Sequence, residues 1–153
     1  MLVEVDVANK SLGLEGLRRL CASLPASLER LDVSGNRCGP EGAALLCELR
    51  SLRYLKTARN ALRDEGVTVF AKEAFLEIRT LDLRQNEITV RCVASLARGL
   101  RETKSLAALD LRGNALPRES LWVFGDAVKK KKNTIYFYGL PVRPTPRLYA
   151  LCG

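Results

Sequence analysis

Leu81-Asp82-Leu83-Arg84-Gln85-Asn86 decides how this chain is read, because it has counterparts elsewhere in the sequence. Leu31-Asp32-Val33-Ser34-Gly35-Asn36 comes before it and Leu109-Asp110-Leu111-Arg112-Gly113-Asn114 after it, with Leu55-Lys56-Thr57-Ala58-Arg59-Asn60 as a weaker copy. Val5-Asp6-Val7-Ala8-Asn9-Lys10 and Ile135-Tyr136-Phe137-Tyr138-Gly139-Leu140 extend the series at its two ends. The units begin at residues 5, 31, 55, 81, 109 and 135, in steps of 26, 24, 26, 28 and 26. A fixed period in this range marks supersecondary units that stack on one another.

Working outward from the six-residue core, each unit has the same parts. The core alternates apolar and polar residues, as a half-buried strand does. Two positions past the asparagine comes a further apolar residue: Leu12, Cys38, Leu62, Ile88 and Leu116. Apolar residues then recur at helical spacing: Leu17, Leu20 and Leu24; Ala43, Leu46 and Leu49; Val67, Phe70 and Ala74; Val93, Leu96 and Leu100; Leu121, Phe124 and Val128. One such unit cannot bury its apolar face alone. Stacking makes the faces one continuous core, and the strands become parallel neighbours joined by helical crossovers. Asn36, Asn60, Asn86 and Asn114 are expected to bond backbone groups left open where the chain leaves the strand, as a ladder. Lys10 and Leu140 stand at the same position in the two end units.

The four Leu-x-Leu-x-x-Asn-type cores, with the turns Gly13-Leu14-Glu15-Gly16 and Gly39-Pro40-Glu41-Gly42 and the partial copy Asp64-Glu65-Gly66, carry a resemblance. The chain resembles the ribonuclease-inhibitor-like subfamily of leucine-rich-repeat proteins over about residues 3–140. The resemblance implies an α/β horseshoe solenoid, with about six parallel strands on the concave side and helices on the convex side. It also implies binding to other proteins, without enzymatic activity. Two places depart from the pattern. Thr57 replaces an apolar residue, and Thr89-Val90-Arg91-Cys92 replaces the Gly-x-Glu-Gly turn. Within the subfamily, the closing segment from Lys132 to Leu148 is similar to the end of the tropomodulin repeat domain.

Composition narrows the chemistry. None of the 153 residues is histidine, which removes the usual general base near neutral pH and the commonest metal ligand. No catalytic group, cofactor site or metal site is expected. Cys21, Cys38, Cys47, Cys92 and Cys152 form no CxxC pair, and their odd, scattered number fits a reducing, intracellular and cytoplasmic setting. No run of about 18 apolar residues suggests a membrane span. The N-terminus reads as a first strand, not as a secretory signal.

The net charge of +8 is unevenly placed. Residues 1–128 hold 19 basic residues against 17 acidic ones, whereas Lys129, Lys130, Lys131, Lys132, Arg143 and Arg147 have no acid among them. This basic end could meet RNA, anionic lipid or an acidic protein, or it could simply place cations at a helix C-terminus.

Strand residues pointing away from the core form columns. One is Asp6, Asp32, Lys56, Asp82, Asp110 and Tyr136; the next is Ala8, Ser34, Ala58, Arg84, Arg112 and Tyr138. Arginine and exposed aromatics are residue types that anchor interfaces. The candidate partner-binding residues are therefore Asp32, Lys56, Asp82, Arg84, Asp110, Arg112, Tyr136 and Tyr138. The simpler alternative for the aspartates is that this repeat keeps a polar residue there. Glu15, Glu41, Glu65 and Glu119 fall at helix starts, where the helix dipole favours an acid. Trp122 could be an exposed anchor on the helical side or be covered by the tail.

The chain therefore divides into a repeat domain, 1–140, and a proline- and arginine-containing arm or cap, 141–153. The expected function is a non-enzymatic protein-interaction module, a subunit or adaptor of a larger assembly. Two alternatives stand beside it: a ribonucleoprotein component using the basic end, and a cytoskeletal regulator resembling tropomodulin.

Overall fold

The computed structural model describes residues 3–73, 77–129, 134–137 and 140–142; for the last two stretches this means strand backbone. Ala74, Tyr138, Lys130, Lys131, Lys132, Arg143, Arg147 and Cys152 lie outside the described residues. Strand and helix alternate along the chain: β1 (Glu4–Asp6), α1 (Gly13–Ser23), β2 (Arg30–Asp32), α2 (Gly42–Cys47), β3 (Tyr54–Lys56), α3 (Arg63–Glu73), β4 (Thr80–Asp82), α4 (Val93–Glu102), β5 (Ala108–Asp110) and α5 (Ser120–Val128). Two consecutive strands follow, β6 (Thr134–Phe137) and β7 (Leu140–Val142).

All seven strands form one sheet in chain order. β1 to β6 are parallel, with Val5, Leu31, Leu55, Leu81, Leu109 and Ile135 in one register. Helices on one side of each strand are what parallel crossovers demand, and consecutive helices pack on each other. The six parallel strands are those expected from the repeat. The antiparallel β7 is an addition that the repeat pattern does not contain: Leu140 pairs with Phe137 and Val142 with Ile135. It carries Pro141, which has no N–H to donate and is tolerated in a strand at a sheet edge. Both the boundary drawn at 140/141 and the last repeat fall at this strand.

The core runs between sheet and helices. Leu31, Leu55, Leu81 and Leu109 are at most 2% exposed, as are Cys38, Leu62, Ile88 and Leu116. Leu17, Leu46, Phe70, Leu96, Leu100, Phe124 and Val128 close it from the helical side. Each such side chain contributes roughly 1.5–3 kcal/mol of burial.

The two departures from the pattern keep their places in the stack. Thr57 is fully buried where other units have Val33, Leu83 and Leu111, and its hydroxyl donates to the Asp82 carbonyl at 3.1 Å. A buried hydroxyl with a partner avoids the cost of desolvation without compensation. At the Thr89 departure the chain makes a short 3-10 turn, Val90–Cys92, in place of a glycine turn. Asp64 of the preceding unit secures it, accepting from the Thr89 N–H at 2.7 Å and the Thr89 hydroxyl at 2.6 Å.

The strand exits are alike. Immediately before the ladder position, Asn9, Gly35, Arg59, Gln85 and Gly113 all take positive φ, between 53° and 71°. Gly35 is also required by space, since a Cβ there would lie 2.1 Å from the Asn9 amide oxygen. The four asparagines form the expected ladder. Asn86 Oδ1 accepts from the backbone N–H groups of Asn60 and Leu62 at 2.9 and 3.3 Å, and its amide donates to the Thr57 carbonyl at 2.9 Å. Asn60 repeats this toward Asn36 and Cys38, Asn114 toward Asn86 and Ile88, and Asn36 toward Lys10 and Leu12. All four side chains are at most 8% exposed.

Candidate functional site

The strands turn two kinds of side chain outward from the core, and parallel register sorts them into columns. Asp6, Asp32, Lys56, Asp82, Asp110 and Tyr136 are register partners from β1 to β6. The register of Tyr136 is a property of the β6 backbone; Tyr138 lies outside the described residues.

The aspartates have a local task. Each accepts from the backbone N–H two residues on: Asp6 from Ala8 at 2.9 Å, Asp32 from Ser34 at 2.9 Å, Asp82 from Arg84 at 3.0 Å and Asp110 from Arg112 at 3.1 Å. These N–H groups belong to residues just past the strand, next to Asn9, Gly35, Gln85 and Gly113, of which Asn9, Gly35 and Gln85 still donate to a carbonyl of the following unit. The carboxylate closes a short side-chain-to-backbone turn there, a pattern that suits aspartate. The simple preference of the repeat for a polar residue is thus joined by a structural reason for aspartate at this position.

The basic residues of the face are tied to the same carboxylates. Lys56 Nζ lies 3.4 Å from Asp32. Arg84 clamps Asp82 side-on, with Nε 2.9 and 3.0 Å from its two oxygens, and reaches Asp110 at 3.5 Å. Arg112 clamps Asp110 in the same way, with Nε at 2.9 and 3.0 Å. The hydrogen bond to Asp82 holds the Arg84 guanidinium above its ordinary pKa, against the opposing effect of burial. The bond to Asp110 acts likewise on Arg112. Asp82 and Asp110 are 9% and 17% exposed in their side chains, Arg84 and Arg112 44% and 42%. The acids are thus mostly covered and the guanidinium groups are presented, in positions fixed before any partner arrives. Ala8, Ser34 and Ala58 precede the arginines in their column, and Ser34 and Ala58 are buried.

A family model for the leucine-rich repeat matches residues 25–47, the unit that contains β2 and α2. Related proteins align over much more of the chain. NACHT, LRR and PYD domains-containing protein 3 of Homo sapiens is 32% identical over 125 residues, covering 75% of this chain and 12% of that protein. Protein 5 of the same series, also from Homo sapiens, is 30% identical over 152 residues, covering 91% of this chain and 12% of that protein. Protein 4C of Mus musculus is 29% identical over 151 residues, covering 92% of this chain and 15% of that protein.

The chain is a leucine-rich-repeat protein.

It spans 12–15% of the length of these relatives, so the likeness concerns repeats and not whole proteins. A leucine-rich-repeat solenoid is in general terms a protein-interaction module. The repeats also present a column that the sequence reading did not include. Glu4, Arg30, Tyr54, Thr80 and Ala108 are register partners one step earlier on the same face. Arg30 places its guanidinium carbon 4.4 Å from the centre of the Tyr54 ring, a cation–π geometry. The signal was the same two-residue alternation, followed one step back toward the strand start.

The remaining candidates are spread elsewhere. Lys129 is exposed at the end of α5, and the other five residues of the basic end lie outside the described residues. Trp122 is 38% exposed on α5, beside Val123 at 41%. Glu15 and Glu65 lie in the first turns of α1 and α3, while Glu41 and Glu119 immediately precede α2 and α5. The thiols of Cys21 and Cys38 are pushed up to about 11 and that of Cys47 to about 12, in each case chiefly by burial. Burial raises Cys92 as well, so at neutral pH all four thiols stay protonated. Among the described residues, no group of three or more cysteine or acidic side chains converges as a metal site. No helix among them is long and apolar enough to cross a membrane.

Proposed function

We propose that the chain is a non-enzymatic adaptor or subunit that recognises a protein partner on the open face of its sheet. Recognition would centre on Arg84 and Arg112, with Arg30 and Tyr54 alongside. The observation that carries this reading is the pair of guanidinium groups, each more than two-fifths exposed yet held side-on by a nearly covered carboxylate. An arginine already fixed in place loses less side-chain freedom on binding. Its outward edge still offers donors to a carboxylate, a backbone carbonyl or an aromatic face. Tyr136, the register partner of Asp110 on the β6 backbone, is assigned to the same proposed surface.

The setting proposed is a reducing, cytoplasmic one. Four free cysteines with raised pKa values support it, being packed apolar groups and not bridged or reactive ones. Binding through the basic end, Lys129 to Lys132 with Arg143 and Arg147, would make the partner a nucleic acid or another polyanion. Affinity purification at low and moderate salt, with identification of what is retained, separates the two. Protein partners that survive moderate salt and depend on Arg84 and Arg112 support the sheet face. Loss of every partner at moderate salt, with no dependence on those arginines, contradicts it.

A further inference from the structure

Where the chain leaves β3, the unit breaks from the others at three positions, and each change brings in a cation. Lys56 stands where the units of β1, β2, β4 and β5 have Asp6, Asp32, Asp82 and Asp110. Arg59 stands where they have Asn9, Gly35, Gln85 and Gly113, and Arg63 where they have Gly13, Gly39, Thr89 and Pro117. Those four units hold no cation at any of these positions. Lys56, Arg59 and Arg63 are all exposed.

Arg59 and Arg63 also stand against the preference of the backbone. Their φ angles are 54° and 56°, in the left-handed region. The counterparts of Arg59 there are Gly35 and Gly113, at 70° and 71°, and those of Arg63 are Gly13 and Gly39, at 60° and 69°. Glycine adopts this conformation freely, whereas a residue with a Cβ is strained in it. The repeat thus has a residue that suits both turns better and does not use it in this unit. Strain kept on the surface points to a role for the side chain itself. Local contacts give little reason for it. Arg59 reaches the Asn9 amide oxygen at 3.3 Å, and Arg63 pairs with the exposed Glu87 at 3.1 Å. Exposed contacts of this kind add little to stability.

The cations continue into the neighbouring units. Arg37 is exposed at the exit of β2 and Arg84 at that of β4. The backbone joins these exits: the Gly39 N–H donates to the Asn60 carbonyl and the Arg59 N–H to the Arg84 carbonyl, each at 3.0 Å. Of the acids among them, Asp32 and Asp82 are 19% and 9% exposed in their side chains, and Asp64 is engaged by Thr89. Glu87 is exposed beside Arg63, and Glu41 and Glu65 lie past the rim at helix starts. What this rim presents outward is chiefly guanidinium and ammonium.

On the reading that the open face of the sheet recognises a protein, we propose that the rim where β2, β3 and β4 end binds an acidic segment of that partner. Its carboxylates would be set against Arg37, Lys56, Arg59 and Arg63. A guanidinium offers a carboxylate two parallel N–H donors. A peptide can place single carboxylates at the cations and uncharged residues at Asp32, Asp82 and Glu87. The unbroken charge of a nucleic-acid backbone would meet those acids as well, so a polypeptide is the better fit.

The probe is a short fluorescent peptide alternating glutamate and serine, set beside one with glutamine for glutamate and a single-stranded oligonucleotide of equal charge. Titrated with the full chain at low salt, the glutamate peptide should bind, the glutamine peptide should not, and the oligonucleotide should bind more weakly. Added salt should release the peptide. Arg59→Gly/Arg63→Gly should weaken peptide binding about five- to tenfold. It installs the residue that other units hold at these two backbone positions, so the melting temperature should be unchanged or higher. Arg59→Lys/Arg63→Lys keeps the charge and should keep most of the affinity. Arg18→Gln/Arg19→Gln removes as much charge from exposed positions on α1 and should leave binding unchanged. No binding of the glutamate peptide, equal binding of the glutamine peptide or tighter binding of the oligonucleotide overturns the proposal. So does indifference to the glycine pair, a lower melting temperature in it, or an equal loss of binding in the α1 pair. A recovered partner whose affinity depends on Arg84 and Arg112 but not on Arg59 and Arg63 also overturns it, and leaves recognition by the sheet face standing.

Discussion

At the strand exits, Asn36, Asn60, Asn86 and Asn114 perform one task four times; four residues earlier, on the sheet face, Asp6, Asp32, Lys56, Asp82 and Asp110 change sign midway. Both sets recur with the same period on the same strands. The ladder asparagines are buried and meet backbone donors and acceptors whose positions are the same in every unit, so only a side chain with both an acceptor and a donor fits. The sheet-face residues lie on the side of the sheet away from the core, and the backbone asks only for a carboxylate to take one N–H just past the strand. Where that carboxylate is present, the adjoining position is open to choice, and it holds alanine and serine early but arginine at 84 and 112. Uniformity marks what the fold requires, and variation on the same frame marks what is available for recognition.

The largest effect expected is at the ladder. Asn86→Ala leaves the Asn60 and Leu62 N–H groups and the Thr57 carbonyl without the side chain that joins them, and should destabilise the fold by about 1–3 kcal/mol. Chemical denaturation checks it, and an unchanged midpoint would remove the contrast between the two regions. Asp82→Ala takes the acceptor from the Arg84 N–H and the clamp from its guanidinium, and should cost about 1–2 kcal/mol. A cost near zero would return the aspartates to simple surface residues.

Thr57→Val tests the core beneath both regions. It removes a satisfied hydroxyl and restores the apolar residue found at Val33, Leu83 and Leu111. The Asp82 carbonyl keeps the Thr57 backbone N–H at 3.0 Å. Stability should stay within about 1 kcal/mol of the parent, on the stabilising side. The smallest effect on folding belongs to Arg84→Ala with Arg112→Ala. These side chains are more than two-fifths exposed, and their removal should shift stability by about 0.5 kcal/mol or less each. A large loss would place them with the ladder instead of with the recognition face.

Much of this was legible in the sequence, and the parts that were not have physical reasons. Period, strand alternation and helical spacing specified β1 to β6, the helices and the ladder, because each rests on a repeated burial requirement. β7 was not visible, since its pairing is antiparallel, spans three residues and includes Pro141. The bond from Asp64 to Thr89 was hidden because it joins two different units at positions that do not repeat. The turn closed by each aspartate was hidden for the opposite reason. It repeats faithfully, but aspartate on a solvent face looks the same whether or not its carboxylate holds the backbone. Arg30 and Tyr54 were not legible, because their column lacks the recurring aspartate and arginine that mark the two columns beside it. The extra column begins where the strands begin, and Glu4, Arg30, Tyr54, Thr80 and Ala108 share no residue type that would announce it.

The most direct test of recognition by the sheet face is the dissociation constant of the partner recovered by affinity purification, measured for three forms of the protein. These are the parent, Arg84→Ala/Arg112→Ala on the sheet, and Arg98→Ala/Arg101→Ala on the exposed side of α4. The expected result is weakening of about tenfold or more for the sheet pair, with the helix pair equal to the parent and all three melting alike. Full affinity in the sheet pair, or a loss confined to the helix pair, would contradict recognition through the sheet face.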